Sequence, residues 1–520
     1  MAELSNRLPR SLYRAEQVRQ LDALAIDKYD IPAFKLMQAA GAATFDEILE
    51  AWPQVQQLVI FTGAGNNAGD GFVIAALAQS AGLQVQLIEL AERSKFTGAA
   101  AQALQQAADM NIATTVFAEQ TDILPASSQT TVIVDALLGT GLDRTVQGAY
   151  AAAIAAMNAS DWPVVAVDIP SGLNADTGAL MGCAVQAELT VTFIAMKIGL
   201  LTGAAGDVVG RLVFASLDIP EQVYRTASAP TPVATRLDIN SVGEYLPTRR
   251  RTAHKGDHGH VVLLGGDQQL GGAIIMAAEA AARAGAGLVS VITRSCHRPA
   301  LLARRPEVMV LGTEDDNFSA EALLAKASVI VIGPGLGRSG WSRDMLQLAL
   351  GSQRKHDTPL VVDADGLQLL AERRDAGAGA NKIRNNWILT PHPGEAGELL
   401  GIKSSAVQAD RVAAVQQLVA QWGGSCLLKG YGSLIADSEN LYLSTEGNPG
   451  MGSGGMGDVL AGLIAGLVAQ GLPLTRALNC AVCVHGEAAD LAASRDGQRG
   501  LLASDLFPFI RQLLNPPARH

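Results

Sequence analysis

Five glycines crowd into eight residues of NPGMGSGGMGDVLAGLIAGLVAQG (448–471): Gly450, Gly452, Gly454, Gly455 and Gly457, with Asp458 directly after them. Glycine allows positive φ and lets backbone N–H groups converge, and the apolar helix that follows turns its positive dipole end to the same place. Together these make a nest for a phosphate, or for charge developing on a phosphoryl group in transfer. A carboxylate on the first helical turn beside such a nest can take the proton of a substrate hydroxyl as general base. A lone Gly-Asp there would only be a carboxylate satisfying the helix dipole. The pattern G-x-x-x-x-G-K-[ST] is absent, so the segment is not a P-loop.

The first half carries different chemistry. After QLVIFT comes GAGNNAGDGFVIAALA (63–78). Its G-x-G opening invites a dinucleotide fingerprint, but the third glycine falls one place late and no acidic residue is placed to receive a ribose, which disfavours ordinary hydride transfer. The paired asparagines and Asp70 offer donors and carbonyl oxygens instead. VDALLGTGLDR (134–144) and VDIPSGLNADTG, with its Asp-to-Gly core at 168–178, end two further strands on the same sheet edge. Asn67, Asp135 and Ser171 could pool oxygen ligands for a cation there; read singly, each is a loop-capping residue.

The elements that must position these groups read as alternating strands and helices. Apolar runs at 57–63, 84–90, 131–137, 164–170 and 188–194 are separated by Ala-rich helical stretches, the pattern of a parallel sheet covered on both faces. Two amphipathic helices precede them. The stretch YRTASAPTPVATRLD (224–238) lacks periodicity and has linker composition. The alternation restarts at 260–266, 288–293, 329–335, 359–366, 387–393 and 426–432, and SLIADSENLYLST (433–445) reads as a hairpin. The expected organisation is therefore α/β, two three-layer αβα domains at 1–225 and 240–520 joined by a linker at 226–239. Their loop motifs differ, so duplication is not supported.

Composition removes several classes. The 520 residues carry 39 Lys+Arg against 50 Asp+Glu, a net charge of −11, which gives no general attraction to nucleic acid or acidic lipid. Aromatic residues are 4%, too few to suggest a stacking platform for single strands. Five cysteines without an even framework argue against disulfides, and Cys480-x-x-Cys483 lies in an apolar helical stretch where core packing is the better reading. With no apolar leader or membrane-length run, a cytoplasmic protein is expected, with no membrane partner and assembled as a homo-oligomer.

The second half resembles the G-[AT]-G-D anion hole of the ribokinase-like fold. Its further motifs HKGDHGHVVLLGGD (254–267), GGAIIMAAEAAARAGAGLV (271–289), GPGLGR (333–338), VVDADGL (361–367), LTPHPGE (389–395) and LLKGYGSLI (427–435) resemble, in order, the ADP/ATP-dependent NAD(P)H-hydrate dehydratases over about 240–515. That resemblance implies that Asp458 is catalytic and also contacts the hydrate, with Ala273, Gly335, Leu336, Gly337 and His392 lining the substrate pocket. It implies that Lys429, Gly430, Tyr431, Gly432, Ser433, Gly454, Gly455 and Gly457 hold the nucleotide, ADP or ATP, used with Mg²⁺. His392 alone would read as a turn histidine facing water. Glu395 resembles an acidic position near magnesium but equally suits a helix start, and Lys255 reads equally as a phosphate contact or a solvated lysine.

NNAGDG, VDALLGTG and VDIPSG resemble the NAD(P)H-hydrate epimerases over about 10–220, in a Rossmann-like domain. This implies K⁺ at Asn67, Asp135 and Ser171. It implies dinucleotide contacts from Asn66, Asn67, Ala68, Gly69, Asp70, Gly139, Thr140, Gly141, Leu142, Asp143, Arg144 and Thr145, with Asp168 at the reactive ring as acid/base group. Lys197 in TFIAMKIGLLTG (192–203) reads equally as approaching that site or as a surface lysine. The implied function is repair of NADH hydrate and NADPH hydrate: epimerisation of the R and S forms, then nucleotide-dependent dehydration of the S form through a phosphorylated intermediate. The alternative is a ribokinase-like kinase of a small hydroxylated vitamin or sugar with a non-catalytic N-terminal binding domain.

Overall fold

The computed structural model describes residues 8–118, 130–246, 248–375 and 384–515. The chain divides into two compact units, Met1–Thr235 and Arg236–His520.

In the first unit seven parallel strands lie in the spatial order Ala113–Val116, Gln84–Glu89, Gln57–Thr62, Thr131–Ala136, Val164–Val167, Leu189–Phe193, Arg211–Ala215. Successive side chains of a strand point to opposite faces. Leu58, Ile60, Val132, Val134 and Val165 therefore pack with the helices Ala15–Tyr29, Ala33–Ala51, Asn66–Ser80 and Gly98–Asp109. Val59, Phe61, Ile133 and Val164 pack on the other face with Gly148–Asn158. The result is three layers, αβα. From Gln57–Thr62 the chain winds outward to Ala113–Val116, then returns to Thr131–Ala136 on the other side. Strand order reverses between those two neighbours, and the loops after Thr62 and Ala136 diverge to leave a crevice.

The second unit repeats the device with other sequences. Its strands run Met309–Gly312, Leu288–Thr293, His260–Leu264, Val329–Ile332, Leu360–Val362, Trp387–Leu389, Ser425–Leu428, Ser433–Ala436, Leu441–Ser444. All are parallel up to Ser425–Leu428; the last two are antiparallel and form the expected hairpin, its turn held by Asp437 Oδ1 accepting from the amides of Glu439 and Asn440. The switch point lies between His260–Leu264 and Val329–Ile332. Val261, Leu263, Val329, Val331 and Val361 share one core with Gly271–Arg283, Met456–Ala469 and Leu474–Asp496. Cys480 and Cys483 are buried, free thiols in that core, which burial pushes upward in pKa.

Several strands have no counterpart in the sequence reading. Ala113–Val116 is exposed along its whole length and Met309–Gly312 starts exposed, so neither shows a buried apolar run. The linker-like stretch contains a short strand, Ala234–Arg236, whose Ala234 and Thr235 pair antiparallel with Leu12 and Ser11. No helix among the described residues is long and apolar enough to cross a membrane.

Helix Met456–Ala469 seats on Gly271–Arg283 through two glycines. A Cβ at Gly462 would lie 2.0 Å from the carbonyl oxygen of Ala277, and one at Gly466 would lie 2.7 Å from that of Ala281. Backbone atoms cannot rotate away. Gly462→Ala is expected to destabilise the second unit by about 3 kcal/mol, read as a lowered denaturation midpoint for that unit with the first unit's transition unmoved.

Candidate active sites

At the first switch point lies a cavity of about 700 Å³ lined by Asn66, Asn67, Asp70, the loop 138–144, Asp168 and Lys197, with Arg19 and Asp22 of the N-terminal helix on the opposite wall. Gly65, at φ +94, turns the chain into helix Asn66–Ser80, and no side chain caps that helix. Asn67 is buried, and neither its Nδ2 nor its Oδ1 has a hydrogen-bond partner. A buried amide left unpaired is costly and marks a place where another polar species fits. Gly139 stands against it: a Cβ there would be 3.4 Å from Asn67 Cβ. Asp135 is fully buried and accepts from the Ser171 amide at 2.7 Å, the Ser171 hydroxyl at 2.6 Å and the Leu137 amide at 3.2 Å. Burial pushes its pKa up to about 6 against those three donors. Asn67 on the first turn of its helix, Asp135 near the end of its strand and Ser171 in the turn after Val164–Val167 thus meet at this edge.

The remaining expected residues divide. Gly139, Thr140, Gly141, Leu142, Asp143 and Arg144 line the cavity, whereas Thr145 is exposed outside its lining. Ala68 belongs to the apolar core, and Gly69 closes on Met37, whose Cε would be 2.6 Å from a Cβ there. Asp70 is pushed well up in pKa by burial, then by the charges of Asp168 and Asp22. Asp168 sits at φ +67, directly after strand Val164–Val167. Its Oδ1 accepts from Thr192 Oγ1 at 3.0 Å, the Phe193 amide at 3.3 Å and the Lys197 ammonium. Lys197 is 1% exposed and is no surface lysine.

In the second unit the expected segments gather at the C-terminal ends of adjacent strands. The glycine loop faces outward: Gly452 and Gly454 are exposed, and a Cβ at Gly454 would meet nothing within 4 Å. The amide ring is narrower than the glycine count suggests. The Gly450 amide donates to Asn448 Oδ1 at 3.0 Å and that of Gly452 to the Pro449 carbonyl at 3.1 Å, so the open stretch begins after Gly452. Gly455 caps helix Met456–Ala469 at φ +92, and no side chain caps its first turn. Asp458 lies on that turn.

Behind it is a buried charge cluster. Lys429 Nζ is 2.9 Å from Asp363 Oδ1 and 3.8 Å from Glu395 Oε2, and Thr390 Oγ1 donates to Asp363 Oδ1 at 2.8 Å. Burial works against the Lys429 charge, but Asp363 and Glu395 hold its pKa above the usual lysine value. Gly457 borders both partners, 3.5 Å from a Cβ position to Asp363 Oδ2 and to Lys429 Nζ. Burial, then the Asp363 charge, raises Asp458 to about 7 against the pull of Lys429. Burial likewise raises Glu395.

His392 caps helix Pro393–Leu400, its Nδ1 accepting from the amides of Gly394 at 3.0 Å and Glu395 at 3.3 Å, so a neutral ring carries its proton on Nε2. Glu395 completes the box by accepting from the His392 amide at 2.8 Å. Gly335 and Gly337 adopt φ +58 and +68; a Cβ at Gly335 would meet the Leu270 carbonyl at 2.3 Å and Ala273 Cβ at 3.1 Å, so these loops touch. Leu336 is fully buried and Gly337 donates its amide to Asp365 Oδ2 at 2.8 Å. Gly430 and Gly432 take φ +139 and +59 beside the exposed Tyr431, and the Ser433 hydroxyl donates to the Gly430 carbonyl at 3.0 Å. Lys255 is exposed.

Two residues escaped the sequence reading. Asp363 lies inside a quoted motif, directly after strand Leu360–Val362, and the rule that ligand groups follow parallel strands would have found it. Asp22 sits among polar positions of an amphipathic helix and carries no such signal.

Comparison with known proteins bears on both units. Residues 261–512 match the family model described as NAD(P)H-hydrate dehydratase, and residues 33–199 match that described as YjeF-related protein N-terminus. A solved ribokinase-like superfamily protein from Enterococcus faecalis is 31% identical, covering 54% of this chain and 94% of that one, with a TM-score of 0.49. The bifunctional NAD(P)H-hydrate repair enzyme Nnr of Escherichia coli strain K12 is 42% identical over 98% of this chain and 95% of its own. That of Coxiella burnetii is 46% identical over 97% of this chain and 99% of its own. With both halves matched in one chain at this identity, the chain belongs to the family of bifunctional NAD(P)H-hydrate repair enzymes.

Proposed function

We propose that the first unit epimerises the R and S hydrates of NADH and NADPH, and that the second dehydrates the S form with ADP or ATP as phosphoryl donor. The observation that carries the reading is the setting of Asp458: a half-buried carboxylate with a pKa of about 7, on the uncapped first turn of a helix that follows an exposed glycine loop. That is the equipment for activating an alcohol toward phosphoryl transfer. Hydroxide is a poor leaving group from a hydrated nicotinamide ring, and phosphate is a better one. Asp458 takes the hydroxyl proton, the amides after Gly452 face the transferring group, and Lys429, Gly430, Tyr431, Gly432 and Ser433 border the nucleotide. Ala273, Gly335, Leu336, Gly337 and His392 form the hydrate side. Mg²⁺ would enter on the nucleotide phosphates near Glu395, neutralising charge there, and needs no cage of protein ligands. Full-length similarity to repair enzymes favours this over a vitamin or sugar kinase.

In the first unit, K⁺ would be held by the Asn67 amide oxygen, Asp135 and Ser171; the unpaired Asn67 amide fits it, and an oxygen donor set suits a hard cation. Its chemistry would be to anchor the loops that receive the dinucleotide. Asn66, Asn67, Asp70 and Gly139–Arg144, which line the cavity, border the phosphates. Burial, then the charges of Asp168 and Asp22, push the Asp70 carboxyl well up in pKa, which weakens its repulsion of a phosphate. Asp168 meets the ring as acid/base group.

Two outcomes follow. A general base works in its ionised form, so the S-hydrate dehydration rate falls as pH drops below about 7, well above the ordinary carboxylate value of about 4. Asp458→Asn lowers dehydration kcat by about 1,000-fold, followed by the ultraviolet absorbance of reduced nicotinamide, and leaves epimerisation intact, followed by chromatographic separation of the R and S hydrates. For the cation, the melting temperature of the first unit rises when K⁺ replaces choline at constant ionic strength, and Asn67→Leu removes that response. A melting curve indifferent to K⁺ would exclude the site.

A further inference from the structure

Lys197 has an unusual position for a buried cation. Its ammonium carries three N–H donors. They meet Asp168 Oδ1, Thr192 Oγ1 at 3.0 Å and the Phe193 carbonyl at 3.0 Å. All three donors are engaged within the protein, so the lysine has none to offer a ligand although it borders the cavity.

Its first partner is equally constrained. Asp168 Oδ1 also accepts from Thr192 Oγ1 and the Phe193 amide, three donors in all on one oxygen. Oδ2 has no hydrogen-bond partner among the described residues, and the side chain is 17% exposed. The backbone under both groups is strained. Asp168 at φ +67 centres a three-residue turn closed by the Ile169 amide on the Val167 carbonyl at 2.8 Å. Ile194, a β-branched residue at φ +66, centres another, closed by the Ala195 amide on the Phe193 carbonyl at 2.6 Å. Turns of this hand are rare and cost of order 1–3 kcal/mol each, so surrounding contacts must hold them. The two turns end adjacent parallel strands, Val164–Val167 and Leu189–Phe193, and the Lys197 ammonium joins them.

We infer that Lys197 is a positioning residue of the first unit: it ties these two strained strand ends together and saturates one oxygen of Asp168, so that Oδ2 alone is presented to the substrate. This rests on the reading of Asp168 as the group that meets the ring. Arginine would not serve, because a planar five-donor fork does not fit where one ammonium fills a site that is 1% exposed.

The test uses the full chain, measuring R-hydrate conversion with the first unit's own melting transition as the control for folding and S-hydrate dehydration as the control for enzyme concentration. Lys197→Met is expected to lower epimerisation kcat by about 100-fold while KM stays within about threefold. Lys197→Arg stays as slow, and Lys197→Ala recovers part of the rate with added ethylammonium. Thr192→Val, which removes one lysine acceptor and one Asp168 donor, loses about tenfold in kcat, whereas Thr192→Ser keeps the parental rate. It remains informative if Lys197→Met prevents the first unit from folding. A Lys197→Met enzyme with parental kcat, or one whose loss lies wholly in KM, overturns the inference. Asp168→Asn separates the two levels: if it retains full rate, the reading of Asp168 fails and the inference with it. If it is inactive while the Lys197 variants are normal, the inference alone fails.

Discussion

A parallel strand buried on both faces has little room for a charged side chain except near its end. Both units are built around that constraint, and it decides where chemistry can occur. Strand interiors are apolar runs such as Leu58–Phe61 and Val329–Ile332, all fully buried. Asp135 is the last but one residue of its strand, and Asp168 and Asp363 stand directly after theirs. At the first unit's switch point the flanking loops part to leave a cavity of about 700 Å³ beside two of those strand ends.

The constraint also explains why charge is buried so densely. Asp363 and Lys429 in one unit, and Asp168 and Lys197 in the other, are carboxylate–lysine pairs held at sheet edges by hydroxyls of Thr390 and Thr192. Removing one member of such a pair leaves the other uncompensated, which is far worse than losing a surface ion pair. Each pair sits beside a carboxyl group with raised pKa, Asp458 and Asp70 respectively. Burial thus serves two ends at once, fixing geometry and raising the carboxyl pKa, at Asp458 to about 7.

Much of this was legible in the residue string, for a physical reason. Continuous Val/Ile/Leu runs and glycine-rich loops are local signals, so the central strands and the loops at 63–71, 137–145 and 450–457 could be read directly. Edge strands such as Ala113–Val116 bury little and leave no pattern. Tertiary pairings were out of reach. Nothing in TFIAMKIG says that Lys197 folds back onto Asp168, and nothing near Asp22 says that its helix walls a cavity. The glycine loop was overread in one respect: glycine count does not tell which amides are engaged internally, and those of Gly450 and Gly452 are.

Helix Met456–Ala469 rests its Gly462 and Gly466 directly on carbonyls of the neighbouring helix. A rod notched in this way cannot slide along its axis or roll. The place of Asp458 on the first turn of that helix is then a fixed gauge, set when the domain folds, and any later adjustment around it must come from the loops facing it.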